Sequence, residues 1–184
     1  MVQLPEPTPD KSIAKEYGFE HIADIGKERI RRILQKLAGD RDKKLDLFQE
    51  VLGFRVFKLA PSHFKPWSGS PDTDPDTYNQ QLDLFRDPLT EGWQPEPVIW
   101  EVAIKEGYPL HSRITQANIA GHIVYRVTNP DNDQQFHICL ESEVTADVPR
   151  QLGLTTDDLF ICRDLALDDT TAANLALQCH LKTV

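Results

Sequence analysis

Ile123-Val124-Tyr125-Arg126-Val127 and Phe136-His137-Ile138-Cys139-Leu140 flank the stretch Asn129-Pro130-Asp131-Asn132-Asp133. Each flanking run is rich in the β-branched and aromatic side chains that fit a pleated, half-buried surface. The stretch between them is made of turn formers: asparagine and aspartate bond their own backbone, and proline presets φ. Together they predict an antiparallel hairpin. His122 and His137 are read as facing each other across it, as a cross-strand pair rather than as metal ligands. Amino methyltransferases place an Asp/Asn-Pro-Pro-Tyr/Phe loop against the target amine. Asn129-Pro130-Asp131 lacks the second proline and the aromatic, and a turn accounts for it.

Downstream, Leu159 to Arg163 reads as a further strand, with Arg163 and Asp164 as a local ion pair or strand-end contacts. Asp168-Asp169-Thr170-Thr171 then precedes the run Ala172 to Cys179, and acidic and hydroxyl residues before such a run mark a helix start. Upstream, Val98, Ile99, Val102, Ala103 and Glu106 fall at helical spacing over residues 97–107, with Gly107 as the stop. Residues 60–79 hold four prolines and read as an exposed loop with Trp67 as an anchor, followed by a short helical turn at 81–86. Residues 54–59 alternate and predict a strand. Ile22, Ile25, Ile30, Ile33, Leu34 and Leu37 predict a helix over 20–38 that ends at Gly39-Asp40, with Leu45 to Leu52 extending the helical region. Pro5, Pro7 and Pro9 forbid a helix at the amino terminus, and Val2-Gln3-Leu4 reads as the end of a strand. The expected class is α/β, mixed α and β: a small sheet with covering helices, in two parts, residues 1–52 and 53–184.

The composition, 40% hydrophobic and 27% charged over 184 residues, is that of an ordinary globular protein. No apolar run approaches the roughly 18 residues that a membrane span needs, and the amino terminus lacks a basic region followed by an apolar core, so a cytoplasmic location with no membrane partner is expected. Cys139, Cys162 and Cys179 are far apart, outside any C-x-x-C pair, and read as buried thiols. The net charge of −9 argues against a free-standing nucleic-acid binder. It is uneven, however. Lys27, Arg29, Arg31, Arg32, Lys36, Arg41, Lys43 and Lys44 give residues 27–44 a local net of +5, so the remainder carries −14. No G-x-G or P-loop spacing appears, the six histidines show no ligand spacing, and Asp168 and Asp169 are read as a helix cap rather than an acid pair. The residues alone thus show no catalytic group and no metal site.

Three longer strings are more specific. Val-Gln-Leu-Pro-Glu-Pro at 2–7 with Ile-Ala-Asp-Ile-Gly-Lys-Glu-Arg-Ile-Arg-Arg at 22–32 resembles the segment just after the cofactor loop of type III restriction–modification methyltransferases. Gly-Phe-Arg-Val-Phe-Lys-Leu at 53–59, with Phe64-Lys65-Pro66-Trp67, resembles the segment that follows, and Asp164 to Thr183 resembles that family's carboxyl terminus. The resemblance implies transfer of a methyl group from S-adenosylmethionine to the N6 atom of a flipped adenine in duplex DNA. It also implies that the catalytic loop, the recognition region and the Gly-rich cofactor loop lie upstream of Met1. The amino-terminal edge would then be the tail of a Rossmann-like methyltransferase sheet, and residues 1–52 a remnant of that core. On this basis Gln3, with Glu6 as runner-up, is expected at the cofactor ribose, and Lys27, Arg31 and Arg32 against DNA phosphates. S-adenosylmethionine is implied for the full enzyme and not for this chain alone. The implied partners are the catalytic core, a second modification subunit and a restriction subunit. A stand-alone interaction or dimerisation domain is the alternative.

Overall fold

The computed structural model describes residues 2–41, 53–66 and 87–184. The sequence readings at 45–52, at 67–79 with Trp67, and at 81–86 lie outside them. The chain divides into two compact units, Met1–Phe57 and Lys58–Val184.

In the first unit a short helix α1 (Ile13–Glu16) precedes a long helix α2 (Ile22–Arg41). The Ser12 hydroxyl caps α1 by accepting from the Lys15 N–H. α2 begins where the Asp24 carboxylate reaches back to accept the His21 N–H at 3.0 Å, satisfying a donor at the helix start. The expected helix over 20–38 is thus present, but it starts at Ile22 and runs through the expected stop at Gly39-Asp40 to Arg41. Val2-Gln3-Leu4 forms no strand. The chain instead makes a single antiparallel bridge from Pro7 to His21, because Pro5, Pro7 and Pro9 remove the donors that a ladder needs. The buried Thr8 hydroxyl secures it by donating to the Phe19 and Glu20 carbonyls.

The second unit is built on one five-stranded sheet in sequence order: β1 (Arg113–Ile119), β2 (His122–Thr128), β3 (Gln135–Cys139), β4 (Leu159–Cys162) and β5 (His180–Thr183). β1, β2 and β3 are antiparallel, whereas β3, β4 and β5 are parallel. Parallel neighbours need crossovers. Helix α4 (Asp147–Leu152) supplies the first, and a 3-10 turn (Asp164–Ala166) with helix α5 (Asp169–Ala176) supplies the second. Helix α3 (Pro95–Lys105) precedes the sheet. The mixed α/β class and the β2–β3 hairpin are as the sequence predicts.

Each sheet face has its own core. On one, α3 lays Val98, Ile99, Val102 and Ala103 against Val127, Phe136, Ile138 and Ile161, with Tyr108 edge-on to Phe136 at 4.8 Å. On the other, Val124, Cys139, Phe160 and Cys162 meet Val144, Val148, Ala166 and Cys179. Strand alternation sorts these residues: Val124 and Cys139 are register partners on one face, Val127 and Phe136 on the other. Gly107, at φ +82°, stops α3 in the left-handed conformation that glycine adopts without strain.

Residues 54–59 form no strand, since alternation alone supplies no pairing partner. Of the two readings for Arg163 and Asp164, Asp164 makes a strand-end contact, its N–H donating to the Val184 carbonyl at 3.1 Å, and the ion pair forms elsewhere, from Arg163. Its guanidinium reaches Asp87 at 2.7 Å and lies 5.6 Å from the Trp93 ring centroid.

Candidate functional sites

Gln3 and Glu6, the residues expected at a cofactor ribose, are both exposed. The Glu6 carbonyl accepts the Ile22 N–H at 3.0 Å. That bond and the Pro7–His21 bridge tie the segment to the first turn of α2. Lys27, Arg31 and Arg32 lie along α2, and each has an acidic partner on the same helix. Lys27 meets Asp24 at 2.6 Å, while Arg32 and Arg31 approach Glu28 at 2.9 and 3.9 Å. Such i,i+3 and i,i+4 pairs near the surface contribute little stability. The Asp24 carboxyl is held down at about 2, first by the Lys27 ammonium and then by the His21 N–H.

The second unit brings together a polar group that the sequence reading missed. The β2–β3 register pairs Arg126 with His137, so His122 and His137 do not face each other. Continued two residues beyond β3, the same register sets His122 against Glu141. Its Nδ1 lies 2.7 Å from Glu141 Oε2, while Oε1 accepts the Ile123 N–H at 2.7 Å. The Ile123 N–H, and then the imidazole, hold the Glu141 carboxyl below its ordinary range against the opposing effect of burial. His122 Nε2 is 3.5 Å from the Thr145 hydroxyl. Cys139, two residues before Glu141 on the same strand face, completes the group: one ligand atom from each residue lies within 4.8 Å of the others. Burial pushes the Cys139 thiol up, offset in part by the Glu141 backbone N–H. The neighbouring Cys162 is pushed up to about 12, first by burial and then by Cys139 and Cys179. All three cysteines are free and buried.

His137 is buried, and Arg126 Nε donates to its Nε2 at 3.3 Å. Burial, and then the Arg126 charge, push the pKa of this imidazole down. Beside it a cavity of about 220 Å³ is lined by Thr115, Ala117, Ile119 and Leu152. A larger cleft of about 490 Å³ opens where β3 and β4 begin, lined by Glu106, Tyr108, Asp133, Asp157 and Asp158. Lys182 already neutralises Glu106 there at 2.7 Å, and Asp158 accepts the N–H and hydroxyl of Thr155. Asp168 caps α5 as expected, accepting the Thr171 N–H at 2.7 Å.

No protein-family profile, curated protein or solved structure matches this chain. Among the described residues, no helix is long and apolar enough to cross a membrane.

Proposed function

We propose that this chain is the non-catalytic carboxyl-terminal part of a type III modification methyltransferase, working with a catalytic core that binds S-adenosylmethionine and duplex DNA. The observation that carries this reading is the order of the three resembling strings along the chain. Local geometry supports it in one respect: the strings at 2–7 and 22–32, which resemble one continuous segment, are joined by the Pro7–His21 bridge and the Glu6–Ile22 hydrogen bond. In this reading Gln3 donates its amide to a ribose hydroxyl, Glu6 stands next to it, and the Arg31 and Arg32 guanidiniums trade Glu28 for phosphates.

The same chemistry limits what the chain does alone. One hydrogen bond from Gln3 contributes roughly 0.5–1.5 kcal/mol, whereas micromolar affinity needs about 8 kcal/mol. Calorimetry with S-adenosylmethionine tests this: the chain alone gives no saturable heat. Saturable binding tighter than about 100 μM by the chain alone overturns the assignment of its boundaries.

A second reading, an interaction or dimerisation domain, draws support from residues 58–184, where one sheet has a core on each face. Sedimentation of the full chain, alone and with a restriction subunit, distinguishes the two. A concentration-dependent dimer or a stable complex in the absence of any catalytic core favours the second.

A further inference from the structure

We propose that His122, Cys139 and Glu141 form a binding site for one divalent transition-metal ion, with zinc as the cation that fits best. This departs from the sequence reading, which assigned no metal ligand and took Cys139 for a plain buried thiol. It is independent of the methyltransferase reading.

The donor set argues first. An imidazole nitrogen, a thiol sulfur and a carboxylate oxygen lie within 4.8 Å of one another. Sulfur and nitrogen together select zinc and its neighbours over magnesium or calcium, which take oxygen. Around a tetrahedral zinc with bonds of about 2.0–2.3 Å, ligand atoms stand about 3.3–3.6 Å apart. Closing the group on an ion therefore needs side-chain shifts of roughly 1 Å and no change of register. The ion would enter between His122 Nδ1 and Glu141 Oε2, now 2.7 Å apart.

The surroundings argue second. Metal ligands are commonly oriented by hydrogen bonds on their far sides, and two of these three have one. Glu141 Oε1 is taken by the Ile123 N–H, which leaves Oε2 for the ion. His122 Nε2 faces the Thr145 hydroxyl, which leaves Nδ1. Cys139 is buried, and the Glu141 backbone N–H works against that burial in favour of the thiolate.

Access argues third. The His122 and Glu141 side chains are 15% and 36% exposed, so an ion can enter from solvent while the sulfur stays covered. Three protein ligands and an open side leave the fourth position to water, the pattern of zinc sites that keep an exchangeable ligand. On binding, the S–H bond breaks, sulfur bonds to the metal with its electron pair, and the proton leaves to solvent.

The test is titration of the reduced, chelator-treated full chain with cobalt(II), followed by displacement with zinc. The expected result is one equivalent of cobalt with a thiolate-to-metal charge-transfer band, bleached by zinc. The Cys139→Ser variant should lose that band, and Glu141→Gln should bind roughly 10–100-fold more weakly. Absence of the band in the parent protein, or its survival in Cys139→Ser, overturns the proposal. Should Cys139→Ser fail to fold, Glu141→Gln and His122→Gln decide: parent-like affinity in both overturns it.

Discussion

Replacing Phe136 by alanine empties the centre of the core between α3 and the sheet. Phe136 is fully buried. A buried aromatic side chain removes at least about 150 Å² from water, which at about 25 cal/mol per Å² corresponds to roughly 3–4 kcal/mol. Its edge-on contact with Tyr108 at 4.8 Å contributes about 0.5–1.5 kcal/mol more. The sum lies near the top of the roughly 3–5 kcal/mol seen for such truncations. In a domain of this size that lowers the melting temperature by roughly 10–20 °C. Urea unfolding followed by circular dichroism, with thermal melts alongside, measures it. Phe160→Ala, on the opposite face and equally buried, should cost a similar amount, while Ile123→Ala, at an exposed position, should cost under about 1 kcal/mol. A Phe136→Ala cost below about 1 kcal/mol would refute the claim that α3 seals this face. So would equal costs for Phe136→Ala and Ile123→Ala.

Three other outcomes are expected. A double-mutant cycle on Asp87→Asn and Arg163→Met should return a coupling of about 1–3 kcal/mol, since the Arg163 side chain is only 12% exposed; additive costs would remove this link. His137 has its folded pKa pushed down, so the unfolded chain binds the extra proton and stability falls as pH drops below about 6.5; melts from pH 8 to 5 should show this in the parent protein and a flatter curve in His137→Gln. Ala120 and Gly121 form the two-residue β1–β2 turn at φ +53° and +87°, so Ala120→Asn should raise stability by a few tenths to about 1 kcal/mol in chemical unfolding, and a loss of similar size would count against that turn geometry.

Much of the fold was legible because its signals are local. The β2–β3 hairpin follows from alternation and turn chemistry, α3 from the spacing of Val98, Ile99, Val102 and Ala103, and the start of α5 from Asp168. β1 and β5 escaped notice for the opposite reason. Arg-Ile-Thr-Gln-Ala-Asn-Ile shows mostly exposed positions, and His-Leu-Lys-Thr is four residues at a sheet edge, so neither carries a strong apolar pattern. α4 is six residues long with Pro149 inside it. The His122–Cys139–Glu141 group was hidden by register. Cys139 and Glu141 share a face by alternation, but only the pairing of Thr128 with Gln135 across the turn sets His122 against Glu141. A slip of that pairing would dissolve the group without altering a single local propensity. Gln3 and Glu6 came from resemblance alone, and no local pattern marks them.

Methyl transfer under complementation tests the proposed function most directly. The full chain is mixed with a separately produced upstream half of a type III modification methyltransferase, and transfer of tritiated methyl from S-adenosylmethionine to adenine in duplex DNA is counted. The account predicts no incorporation with either piece alone, incorporation with both, and a loss with Gln3→Ala that appears as a raised KM for the donor. Incorporation by this chain alone, or none with any upstream half that restores a known carboxyl-terminal truncation of such an enzyme, would contradict it.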